Sequence, residues 1–183
     1  MSPRRVAFAL VLVPLLLAGC GPQAAQQESI KLSCQAPDDK VEQAMVLMAQ
    51  AVPSASFMPC VKTLPQGWMF SSFDARSGQA EMWFDSDRAG MRALHVTLVR
   101  SCTVRGTRAP SDEPLADLWI DIHELTRRVA GTRYYRFAGG CMMERFDYPV
   151  PGDTVLLADT TAMIDLAPRA SVEEQLAKHG LHL

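Results

Sequence analysis

The sequence predicts an α+β domain, a mainly antiparallel sheet of about six strands with N- and C-terminal helices on one face, stapled by disulfides. Three observations carry that expectation. Apolar and polar residues alternate in short runs through the middle of the chain, helix-period segments with capping residues bracket those runs, and four cysteines lie within the same stretch. With 48% hydrophobic and 21% charged residues among 183, the composition is that of an ordinary globular protein.

Asp39, with Glu42 three positions on, reads as an N-cap, and Val41, Ala44, Met45, Met48 and Val52 then share one helical face until Pro53 stops the helix. The stretch through Pro59, Cys60, Leu64 and Pro65 reads as irregular. From Trp68 the period changes to two: Trp68, Phe70 and Ser72 alternate, Arg76-Ser77-Gly78 supplies a turn, and Met82 and Phe84 mark the return strand. Leu94, Val96 and Leu98 predict a third strand running towards Cys102, and the segment from Arg105 to Pro114 predicts a long loop.

Leu118, Ile120 and Ile122 alternate with Trp119, Asp121 and His123 in a fourth strand. Arg133 to Phe137 and Met142 to Tyr148 read as a second hairpin across Ala138-Gly139-Gly140. Asp153 is positioned to cap a helix with Val155, Leu156, Ala162, Met163 and Leu166 inward, ended by Pro168. Ser171 and Glu174 form a capping-box pattern for a last helix closed by Gly180.

The first twenty residues are of a different kind. Met1 to Arg5 is short and positive, and the apolar run from Val6 to Ala18 falls short of the about 20 residues that a membrane-spanning helix needs. It ends in Leu17-Ala18-Gly19-Cys20, which resembles the lipobox of bacterial lipoproteins. That resemblance implies cleavage before Cys20, a diacylglyceryl thioether on its sulfur, and residence at the cell membrane, facing the periplasm or cell surface. Lipid attachment through two or three acyl chains buries dozens of methylenes at about 0.8 kcal/mol each, which makes the anchor effectively permanent.

The chain then divides into residues 1–19 as signal peptide, 20–33 as lipidated cysteine and flexible tether, and 34–183 as a single extracytoplasmic domain. Loss of Arg4 and Arg5 with the signal moves the formal charge from −2 to −4. A weakly acidic domain argues against nucleic acid as a partner, because that would call for a clustered basic face.

Four cysteines beyond Cys20, namely Cys34, Cys60, Cys102 and Cys141, contain no C-x-x-C pair and read as two structural disulfides in an oxidising compartment. Three connectivities are open. Reach favours Cys34 with Cys60: a helix from Lys40 to Val52 runs roughly 20 Å, and the residues from Pro53 back to Cys60 span at most about 26 Å. Cys102 and Cys141 then form the other pair.

Motifs for chemistry are mostly missing. There is no nucleophile elbow, P-loop or dinucleotide fingerprint, and His123-Glu124 lacks the second histidine of a zinc helix, with Arg127 in its place. No cofactor and no metal are expected. Asp121 and His123, two apart on a strand, project from one face. With Asp85 they make the one constellation from which an extracytoplasmic hydrolase or transferase could be built. The run containing Arg127, Arg128, Arg133, Tyr134, Tyr135 and Arg136 is the candidate anion-binding surface, since guanidinium groups take oxyanions bidentately. Alternation puts Arg133 and Tyr135 on one sheet face and Tyr134 and Arg136 on the other. Asp121 and Glu144 stand on adjacent strands as alternative partners.

Met58-Pro59-Cys60, Leu64-Pro65-Gln66-Gly67-Trp68, Asp85-Ser86-Asp87-Arg88-Ala89-Gly90, Cys102, Ser111-Asp112-Glu113-Pro114 and Gly139-Gly140-Cys141 together resemble a family of actinobacterial envelope proteins of unassigned activity, over roughly residues 57 to 148. The resemblance implies an envelope location and disulfides, and no reaction. The favoured expectation is a lipid-anchored, non-catalytic envelope module that binds a cell-wall polymer or an envelope protein. The competing one is the hydrolase or transferase.

Overall fold

A computed structural model describes residues 32–34, 42–111, 113, 115–125, 128–149 and 154–183. Cys20, tether residues 21–31, the Asp39 and Asp153 caps and Arg127 lie outside the described residues, whereas Leu32 and Ser33 at the end of the expected tether belong to the domain, Leu32 buried in the core and Ser33 bridged to Val61. The domain is α+β. Seven antiparallel strands form one sheet in the order β2 (Trp68–Arg76), β3 (Gln79–Ser86), β4 (Gly90–Val99), β8 (Gly140–Tyr148), β7 (Arg128–Phe137), β6 (Asp117–Leu125) and β5 (Thr107–Ala109).

One face of that sheet is closed. Met82, Phe84, Leu94, Val96, Leu98, Met142 and Phe146 are all at most 1% exposed. Each fully buried apolar side chain of this size contributes about 1.5–3 kcal/mol. They pack with Met45, Met48 and Ala49 of α1 (Gln43–Ala51), with Leu156 and Met163 of α2 (Thr154–Met163), and with a two-stranded ribbon of β1 (Phe57–Val61) and β9 (Ile164–Pro168). The final helix α3 (Arg169–Lys178) adds Val172 and Leu176 to the same core.

The structure departs from the sequence expectation where pairing outweighs local pattern. The sheet has a seventh strand, β5, inside the expected long loop, where Thr107, Arg108 and Ala109 pair with Ile120, Trp119 and Leu118. The stretch read as irregular is β1. The helix expected to run to Pro168 stops at Met163, and Ile164 and Leu166 face inward from β9, paired with Val61 and Pro59. A bulge between Phe70 and Ser72 breaks the alternation of β2, so Phe73 rather than Ser72 pairs with Met82 and packs on the core. The Ser171 capping box does not form: α3 begins at Arg169 behind Pro168, whose φ of −60° ends the preceding strand. Gly180, at φ +70°, closes α3 as expected.

Both disulfides have the expected partners. Cys34–Cys60 (Cα–Cα 4.9 Å) holds the entering chain against β1, where Cys34 N–H also donates to the Val61 carbonyl at 3.1 Å. Cys102–Cys141 (Cα–Cα 5.9 Å) ties the segment after β4 to the start of β8. Closing loops with sequence separations of 26 and 39 residues contributes about 3.5 and about 4 kcal/mol in the loop-entropy account.

An ion pair sits inside the closed face. Arg133 on β7 and Glu144 on β8 are cross-strand partners, joined at 3.2 Å, with side chains 7% and 1% exposed. Arg133 also donates to Thr160 Oγ1 (3.3 Å) and to the Leu157 carbonyl (3.0 Å) of α2, and its guanidinium lies over the Phe146 ring at 5.4 Å. Burial pushes the Glu144 carboxyl up, to about 7, against the opposing pull of Arg133. Asp159 completes the attachment of α2 by accepting from Trp68 Nε1 (3.1 Å) and from Arg88 (2.7 Å).

Removing one member of such a pair strands the other. Arg133→Met is expected to cost about 3–5 kcal/mol of unfolding free energy at about pH 8 and less at about pH 5. The sign follows from Glu144: a carboxyl whose folded-state pKa is raised favours the fold while protonated, and that contribution is lost as pH rises through it. Adding Glu144→Leu to Arg133→Met should restore most of the loss. Urea unfolding at the two pH values checks this, and a small, pH-independent effect of Arg133→Met would contradict it.

Candidate functional site

The opposite, outer face of the large sheet carries the alternate side chains, and the strand register sets them in rows in which Arg145 is exposed, Thr97 and Tyr134 are buried and the others are half-buried. Trp83, His95, Arg145, Thr132 and Asp121 stand side by side on β3, β4, β8, β7 and β6. Glu81, Thr97, Met143, Tyr134 and Trp119 form the next row. These are the outward positions of the strands whose alternate residues fill the core.

A chain crossing bounds this face. β4 pairs with β8, whereas β5 lies at the far edge beside β6, so residues 100–106 must traverse β8, β7 and β6. The Cys102–Cys141 bond fixes the side on which they do so, because Cys141 points away from its core-facing neighbour Met142. Tyr134, an outer-row residue, is consequently only 8% exposed. Gly106 makes the approach to β6 at φ +78°, where a Cβ would fall 1.9 Å from the Ile120 carbonyl oxygen, so no other residue fits.

At the open end, Trp83 and His95 stack with ring centroids 4.8 Å apart and planes within 7°. The Arg92 guanidinium lies 5.8 Å from the Trp83 ring centroid. His95 Nε2 sits 2.9 Å from Glu81 Oε1 and 3.2 Å from Thr97 Oγ1. Burial pushes the imidazole below its ordinary pKa, and the Arg145 and Arg92 charges add to that, while Glu81 pulls the other way. Arg92 adopts a left-handed backbone, φ +53°, which a non-glycine residue keeps only when held. Asp85 Oδ1 holds it, accepting from the Arg92 N–H at 2.7 Å.

The residues singled out from the sequence are distributed over the fold. Asp121 and His123 do meet, at 3.2 Å, with the His123 side chain 66% exposed. Asp85 is on β3, separated from β6 by four inter-strand steps, roughly 19 Å at about 4.8 Å each. The three therefore do not converge on one reacting atom. Arg128 pairs with Asp147, Arg133 and Tyr135 face the core, and Arg136 is exposed on the outer face, so the described part of the arginine run does not form one patch. Among the described residues, no three His, Cys, Asp or Glu side chains gather to hold a metal ion, and no helix is long and apolar enough to cross a membrane.

A second polar place lies at the other side of the molecule. Lys62, Glu113, Tyr135, Thr161 and Asp165 line a cavity of about 110 Å³. A hydrogen bond from the Glu113 carboxyl, the Leu166 N–H at 2.8 Å and Lys62 at 3.2 Å hold the Asp165 carboxyl below the usual carboxylate range, against burial. Two carboxyls sharing a proton beside an ammonium could exchange protons.

Sequence reasoning missed Trp83, His95, Arg92 and Arg145. The alternation that marked Met82, Phe84, Leu94 and Phe146 as inward also marked their neighbours as outward. Which outward residues become neighbours depends on β4 pairing with β8, with β5, β6 and β7 lying between them in the chain, and no local pattern carries that. Compared with known proteins, the chain matches no family model, no curated protein and no solved structure.

The electrostatic balance at His95 is measurable. Its imidazole should titrate below the ordinary value of 6.5, and Glu81→Gln should lower the midpoint further by removing the opposing carboxylate. NMR titration of the ring protons reads both. A wild-type midpoint above 6.5 would mean that Glu81 outweighs burial.

Proposed function

We propose that the protein is a membrane-anchored extracytoplasmic lipoprotein that acts as a non-catalytic binding or accessory module of the cell envelope, with the outer sheet face as its binding surface. One observation carries the reading: the fold sets Trp83, His95 and Arg145 side by side in fixed register on the outer face, with Arg145 exposed and the Trp83–His95 pair half-buried beside it. A binding module needs only such a surface. A hydrolase needs titratable groups within hydrogen-bond reach of one atom, and Asp85 stands roughly 19 Å from Asp121 by strand spacing.

Location is supported independently of the face. The Leu17-Ala18-Gly19-Cys20 pattern follows a secretory-type apolar run, and two disulfides suit an oxidising compartment. Tethered through acylated Cys20, the domain meets ligands attached to the envelope, either a cell-wall polymer or another envelope protein.

The anchor is tested by intact mass of the membrane-extracted protein beside a Cys20→Ser variant. The expected wild-type mass is that of the chain from Cys20 plus a diacylglyceryl group, with or without an N-acyl chain. The variant should lack the acyl mass and leave the membrane fraction. A wild-type mass without acyl chains ends the lipoprotein reading.

A further inference from the structure

The described arginines fall into two sets. Arg76, Arg88, Arg108, Arg128, Arg133 and Arg169 each have a carboxylate partner. Arg92, Arg100, Arg105, Arg136 and Arg145 make no ion pair among the described residues, and all five are exposed. Every one of the second set belongs to the outer face. Arg136 and Arg145 point outward from β7 and β8, Arg92 lies against Trp83, and Arg100 and Arg105 sit on the segment that crosses the sheet. In a chain of formal charge −2, the described arginines without an ion pair lie together on one surface, which also carries Glu81, Asp117 and Asp121.

The open end of that surface is ordered rather than loose. Arg92 and Arg145 flank the Trp83–His95 stack, Arg92 over the indole and Arg145 directly across the strand from His95. Asp85 fixes the Arg92 backbone from below. Two exposed guanidinium groups thus stand beside the aromatic pair, each without an ion pair among the described residues and each able to take an oxyanion through parallel N–H donors. A single small anion would engage one of them. A chain with regularly repeated anionic groups would engage both, and could continue past Thr132 along the edge of the crossing segment towards Arg136.

We propose that the outer face binds a linear polyanion, with Arg92 and Arg145 as its principal oxyanion contacts and the Trp83–His95 stack as the floor between them. This rests on the outer face being the binding surface of the module. Two envelope sources share the chemistry: polyol-phosphate chains and uronate chains.

The full chain, purified in non-ionic detergent, is titrated separately with poly(glycerol phosphate) and with polygalacturonate, following heat of binding at several salt concentrations. Binding of either polymer supports the proposal, and the tighter one identifies the source. The double variant Arg92→Gln with Arg145→Gln should bind at least about tenfold more weakly, and the slope of log affinity against log salt should fall by about one to two. Asp147→Asn, an exposed change on the same face, should not weaken binding. In the unaltered protein, polymer should raise the His95 titration midpoint, because an anion between Arg92 and Arg145 offsets their charge. That readout stands even if the double variant fails to fold. Absence of binding by both polymers, an unmoved His95, or a folded double variant with unchanged affinity and salt slope would each overturn the proposal. None of these outcomes depends on acylation of Cys20, so failure here is distinguishable from failure of the anchor.

Discussion

A buried ion pair, Arg133 with Glu144, sits between sheet and helix, and much of the architecture is arranged around it. A charge removed from water needs its partners in place, and Arg133 has Glu144 across the strand, Thr160 and the Leu157 carbonyl on α2, and the Phe146 ring beneath. Those contacts fix α2 over β7 and β8. With α2 in place, Asp159 reaches Trp68 and Arg88 at the far side of the sheet, and the chain leaving Met163 enters β9 in register with β1. The pair specifies the helix position more than it adds stability, since apolar residues of the same shape could fill the space at no greater cost.

The same strand shows how alternation assigns work. Arg133 and Tyr135 turn inward and become structure, while Tyr134 and Arg136 turn outward. On β8, Glu144 goes in and Arg145 goes out. The closed face satisfies its own charge and is finished as an interaction surface. The outer face keeps guanidinium groups that no carboxylate in the described fold neutralises, bounded by a segment that the Cys102–Cys141 bond pins across it. Fold and proposed function are therefore joined at one disulfide: it closes part of the outer face over Tyr134 and leaves the Trp83 end open.

What could be read in the sequence was what local pattern controls. Period-two runs located β3, β4, β6 and β8, Gly139 marked the β7–β8 turn, and chain reach chose Cys34–Cys60 correctly from three connectivities. Ile164 to Pro168 was misread as helix because a five-residue strand with two inward residues looks like the end of an amphipathic helix until β1 is there to pair with it. Thr107 to Ala109 carries no strand pattern of its own and becomes β5 only beside β6. The outer face was the least legible part. Its arginines are visible as residues, yet their convergence depends on β4 lying next to β8.

The central claim is that this protein works through its outer sheet face. Amide hydrogen exchange of the full chain, with and without a bound polyanion, addresses it most directly. The account predicts added protection confined to β3 around Trp83, to the Arg92 to Thr97 stretch of β4, to Met143 to Arg145 of β8 and to residues 100–106, with α2 and the β1–β9 ribbon unchanged. Protection centred instead on Lys62, Glu113 and Asp165 would contradict it and move the site to the opposite side of the molecule.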